Sequence, residues 1–76
     1  MTQTETRAAH PSSNTLATLE AMALLARQTA SVIHVVVPRE PGVVDNARRL
    51  ASWAGVELCV DLLPRTVRLR FDGQLS

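Results

Sequence analysis

Between Ser31 and Phe71 the spacing of apolar residues passes from an unbroken run, through a helical period, to strict alternation, and that succession leaves few folds open. Its centre, Pro41 to Ala54, puts Val43, Ala47, Leu50, Ala51 and Ala54 on one stripe, with Asp45, Asn46, Arg48, Arg49 and Ser52 opposite. This is an amphipathic helix with one buried face. Pro41 suits the first turn, where its missing N–H would have had no partner, and Gly55 can take the left-handed conformation that ends a helix.

The flanking segments read as strands. Val32 to Val37 is a β-branched run broken only by His34, suited to a central strand buried on both faces and stopped by Pro38. Val56 to Leu63 alternates, Pro64-Arg65 fits the middle of a tight turn, and Thr66 to Phe71 alternates again. Setting Leu62 opposite Val67 also sets Val60 opposite Leu69 and Leu58 opposite Phe71, so the large apolar residues share a face. The other face then pairs Asp61 with Arg68 and Cys59 with Arg70, with Glu57 a diagonal neighbour of Arg70.

Upstream, Thr15 to Gln28 carries Leu16, Leu19, Met22, Ala23, Leu25 and Ala26 with no breaker, and Asn14 or Ser13 can cap it. Leu24 and Ala21 extend its apolar surface beyond one stripe, which predicts burial on more than one side and hence a partner, most simply a second copy. Residues 1–13 read as a flexible arm, 14–72 as a single domain and 73–76 as a polar tail. The order helix, strand, helix, strand, strand predicts an α+β two-layer sandwich. A right-handed crossover returns a parallel strand, giving a small mixed sheet with both helices on one face and the other face partly open.

A chain of 76 residues has room for one small core and buries only about 60% of its unfolded surface, so marginal stability or self-association is expected. The formal net charge of +1 gives no bulk electrostatic case for nucleic acid or membrane. All 8 basic residues are Arg, which together with abundant Ala, Val and Leu points to GC-rich coding and a bacterial source. Cys59, the only thiol, rules out an internal disulfide, and no apolar run could cross a bilayer or serve as a secretory signal; the expected location is the cytoplasm.

The open face would hold His34, Glu57, Cys59, Asp61, Arg68 and Arg70. A solvated ladder of facing charges accounts for them, each pair contributing roughly 0.2 to 1 kcal/mol. Two Arg on one strand could grip a phosphate or carboxylate, with Glu57 and Asp61 neutralising them. His34 and Cys59 lack a third orienting group for catalysis and the further ligands a structural zinc needs, while His10 lies in the arm. No glycine-rich phosphate loop is present. Trp53, beside the core stripe, is a lid over the core edge or an interface anchor.

Glu40-Pro41-Gly42-Val43-Val44-Asp45, followed by Trp53-Ala54-Gly55-Val56-Glu57-Leu58, resembles the second helix and following strand of the SirA/TusA-like small sulfur carriers. The likeness in element order covers roughly Pro11 to Phe71. It implies a two-layer fold of two helices on a four-stranded sheet, whose first strand would have to come from Thr2 to Ala9. That family's Cys-Pro-x-Pro motif, which places a thiolate at the first helix N-terminus, is replaced here by His10-Pro11-Ser12-Ser13, so sulfur carriage does not transfer to this chain.

The functional expectation is a non-enzymatic regulatory or accessory module without a cofactor. It would bind another protein or itself through Leu24, Val32, Val36 and Trp53. The alternatives are a phosphate-ligand or nucleic-acid binder using Arg48, Arg49, Arg65, Arg68 and Arg70, and a sulfur or redox role through Cys59.

Overall fold

The computed structural model describes residues 11–74, in which α1 (Ser13–Thr29), β1 (Val32–Pro38), α2 (Val43–Ala54), β2 (Glu57–Leu62) and β3 (Thr66–Asp72) follow one another. The order is the expected one. The fourth strand implied by the family resemblance, most of the flexible arm and His10 lie outside the described residues, as do residues 75–76 at the end of the expected tail.

Both helices cover one face of the sheet, and Leu19, Ala23, Ala26, Val43, Ala47 and Ala51 meet Val37, Val67, Leu69 and Phe71 in a single core. The β2/β3 register matches the sequence reading, with Leu58↔Phe71, Cys59↔Arg70, Val60↔Leu69, Asp61↔Arg68 and Leu62↔Val67.

Strand order corrects the expectation of a mixed sheet. The order is β1-β3-β2 and both pairings are antiparallel. β1 and β2 do point the same way, as a crossover through α2 requires, but β3 is inserted between them. The physical reason lies in β3: Val67, Leu69 and Phe71 are 1%, 0% and 0% exposed, and only the central position shields all three from both sides. β1 is therefore an edge strand buried on one face, and Val36 is 58% exposed on the other.

Two bonds at the ends of the β1/β3 ladder fix its parity. Gly73 N–H donates to Ser31 O at 2.9 Å and Arg39 N–H donates to Arg65 O at 3.0 Å. Ser31, Ile33, Val35, Val37 and Arg39 thus turn their backbone groups toward β3, whereas Val32, His34, Val36 and Pro38 turn theirs away. Pro38 lies at an outward position, where its missing N–H removes no ladder bond. The strand accordingly runs through Pro38, opposite Thr66, instead of stopping before it.

The helix ends depart from expectation in small ways. Ser12 caps α1, its Oγ accepting from Thr15 N–H at 3.3 Å, while its own N–H donates to Glu40 Oε1 at 2.8 Å and ties the helix start to the β1–α2 loop. α2 begins after Gly42, whose φ of 83° makes Pro41-Gly42 a turn and not a first helical turn. Gly55 ends α2 in the left-handed conformation as expected, and Arg27 Nη1 donates to its carbonyl at 3.3 Å, a cation at the negative end of the helix dipole. Ala30 closes α1 with φ 51°, a conformation that strains a residue bearing a Cβ.

Gly73, placed by sequence in the polar tail, instead passes beneath the end of α1, where a Cβ would lie 2.0 Å from Ala26 O. Two substitutions check these positions. Ala30→Gly should stabilise the protein by about 0.5–1 kcal/mol in urea unfolding, because it relieves the left-handed strain. Gly73→Ala should destabilise it by about 1–3 kcal/mol, because backbone must move to admit the methyl group.

Candidate functional site

On the face away from the helices, the two ladder registers line side chains up in rows across all three strands. One row is His34–Arg70–Cys59 and the next is Val36–Arg68–Asp61. Alternation keeps these residues on the solvent side while their chain neighbours enter the core. Together they border a shallow cleft of about 230 Å³, lined by His34, Cys59, Asp61, Arg68 and Arg70 and floored by Val60 and Leu69. Glu57 belongs to a different row, with Asp72 and Val32, and does not line the cleft.

Arg70 Nη2 donates to Cys59 Sγ at 2.9 Å. That hydrogen bond, followed by the charge of Cys59, raises the Arg70 pKa above the ordinary guanidinium value; Asp72 adds a smaller push and desolvation opposes it. Arg70, like any guanidinium, is cationic at physiological pH with or without this neighbour. Arg68 Nη1 lies 3.9 Å from Asp61 Oδ2 with the two side chains 52% and 62% exposed, a solvated pair that contributes about 1 kcal/mol at most. Both guanidiniums thus lean on partners within the face, and water screens the whole arrangement.

This geometry decides several of the sequence candidates. Arg70 stands between His34 and Cys59 in the row, so the imidazole and thiol are not set against one another as base and nucleophile. Among the described residues no three His, Cys, Asp or Glu side chains converge as metal ligands would. The five candidate anion-binding residues fall in separate places. Arg68 and Arg70 line the cleft, Arg65 is at the exposed hairpin tip, and Arg48 and Arg49 are exposed on α2 in the other layer.

The candidate interaction residues also divide in two. Leu24 is half-buried and Trp53 is 59% exposed, and both lie within a turn of the Arg27–Gly55 hydrogen bond that joins the C-terminal ends of the helices. Val32 and Val36 lie on the open face of β1. Sequence reasoning missed three further residues. Leu25, read as part of the apolar helix surface, is 40% exposed, and Leu62, read as core by alternation, is 53% exposed at the hairpin end, where it borders an open depression with the first turn of α2. Arg39 Nη1 donates to Leu63 O at 3.0 Å and clamps the hairpin to the end of β1, a role no sequence pattern signals.

Compared with known protein families, curated proteins and solved structures, the chain matches none. No helix of the described residues is long and apolar enough to cross a membrane.

Cys59 is an exposed free thiol despite its place in the middle of a strand. A maleimide should label it in the native protein to the same extent as in urea; protection of the thiol under native conditions would contradict its position on the open face.

Proposed function

We propose that the protein is a non-enzymatic interaction module of the cytoplasm, acting as a small regulatory or accessory protein by binding a protein partner. The observation that carries this reading is the exposure of large apolar side chains at two places that a chain of 76 residues has no spare surface to hide: Val36 at 58% on β1 and Trp53 at 59% on α2. An exposed Trp at the end of α2, with half-buried Leu24 within a turn of the same Arg27–Gly55 bond, has the make-up of an interface anchor, since most binding energy in protein interfaces comes from a few residues of this kind. The polar open face supports a lesser role. Its Arg68 is paired with Asp61 in water and its Arg70 is bonded to Cys59, which suits solubility and partner orientation better than chemistry.

The test is the mass of the natively purified assembly by light scattering, for the natural chain and for Val36→Asp and Trp53→Asp. Both sites are more than half exposed, so the variants should keep the far-ultraviolet dichroism of the natural protein. The natural chain should run heavier than a single copy, and at least one variant should fall to single-chain mass. Single-chain mass for the natural protein at every concentration with no other protein bound to it, or natural mass in both variants, overturns the reading.

A further inference from the structure

We infer that the outer edge of β1 pairs with the same edge of a second copy, antiparallel, about a two-fold axis through His34, joining the two three-stranded sheets into one. The inference rests on the reading of the protein as an interaction module and names its partner and register.

β1 leaves some of its backbone groups without a partner among the described residues. Ladder parity turns Val32, His34, Val36 and Pro38 outward. Pro38 has no N–H, and its carbonyl already accepts from Glu40 N–H at 2.9 Å, so the usable template is Val32, His34 and Val36. These three alternate along the strand and match themselves in one antiparallel register: Val32 with the second copy's Val36, His34 with His34, and Val36 with Val32. Each is a hydrogen-bonded pair in which both residues donate and accept, so every leftover group on both copies is used and Pro38 falls just outside. Shifting the strands by two residues either way leaves groups idle or calls on the N–H that Pro38 lacks.

Charge separates this edge from the other one. β1 reads Val-Ile-His-Val-Val-Val-Pro, with no Lys, Arg, Asp or Glu and no bulge, so the one device against edge pairing it carries is Pro38, at its last outward position. The β2 edge carries Glu57 and Asp61, and Arg48 and Ser52 of α2 line the depression beside it. Two β1 edges can approach without like-charge repulsion, whereas two β2 edges bring carboxylates together.

The helix layer fits the same axis. Thr15 and Thr18 border the cleft along Val36 to Pro38, which puts that side of α1 over the β1 edge. Met22 and Leu25 follow Thr18 at helical spacing, half-buried and 40% exposed respectively. Pairing the edges brings the two α1 helices together along this side, which covers Leu25 as well as Val36. The Cys59–Arg70–His34 rows of the two copies then meet end to end at the axis.

Disulfide trapping tests the register in the full chain with Cys59→Ser as background. A hydrogen-bonded antiparallel pair has its Cα atoms about 5.5 Å apart, within the disulfide range, so His34→Cys should cross-link to itself under mild oxidation. Val36→Cys, also at an exposed position, should not, because its two copies would lie about 14 Å apart. Mixing Val32→Cys with Val36→Cys should give the mixed dimer. Val36→Asp should weaken the natural dimer at least tenfold, whereas Trp53→Asp should leave it intact.

Equal cross-linking of His34→Cys and Val36→Cys, or none by His34→Cys, overturns the inference. A dimer that survives Val36→Asp and is broken by Trp53→Asp also overturns it, while leaving the protein an interaction module that uses the helix layer. Single-chain mass in the natural protein removes this partner. Loss of bound protein from Trp53→Asp would then separate failure of this inference from failure of the broader reading.

Discussion

Val67, Leu69 and Phe71 project from β3 beneath both helices, and their near-complete burial is the condition on which the remaining structure depends. A strand whose inward residues are all shielded needs a neighbour on each side, so β1 and β2 flank it and become the two edges. Both helices must then lie on the same face, because only there do all three strands offer apolar side chains, Ile33, Val35, Leu58 and Val60 beside those of β3. Arg27 and Glu40 secure this layer from its ends, the first reaching the Gly55 carbonyl and the second taking the Ser12 N–H. The buried positions Ala23, Ala26, Ala47 and Ala51 keep the inner stripes of both helices small, and Gly73 fits against Ala26 at the end of α1 only because it has no Cβ.

A three-stranded sheet with a buried centre has two edges, and this chain treats them differently. The β2 edge is bordered by Arg48, Ser52, Glu57 and Asp61, which make a close approach by another strand expensive. The β1 edge is uncharged and β-branched, and its last outward position is a proline that sets the length of the template. A small domain with so little buried area gains more from association than a large one, because the new interface adds apolar burial in proportion to a modest core. The open face alone offers less: its Arg68–Asp61 pair is solvated, and Arg70 is occupied by Cys59.

Much of this was legible in the residues. The β2/β3 register could be read off because apolar side chains alternate on both sides of Pro64-Arg65, and a slip of one residue would turn every one of them to solvent. The α2 stripe and its stop at Gly55 were legible for the same kind of reason, a period with a marked end. Strand order was not, because the β-branched run of β1 looks more central than the Arg-bearing β3. Only the depth of Leu69 and Phe71 in the assembled core reveals which strand needs two neighbours. Residue-by-residue reading also could not see that Pro38 faces outward, since parity is set by pairing across the sheet. For the same reason it placed His34 and Cys59 together on a face without showing that Arg70 separates them.

The account depends most on β1 having an edge that is open in the single chain and closed by a second copy. Amide hydrogen exchange, followed residue by residue across a concentration series, reads that edge directly. Ile33, Val35 and Val37, bonded to β3, should be protected at every concentration. Val32, His34 and Val36 should exchange quickly when dilute and become protected as the protein associates. Strong protection of those three amides at the lowest concentration would mean that the edge is already covered within one chain. Rapid exchange at every concentration would mean that nothing pairs with it. Either result contradicts the account.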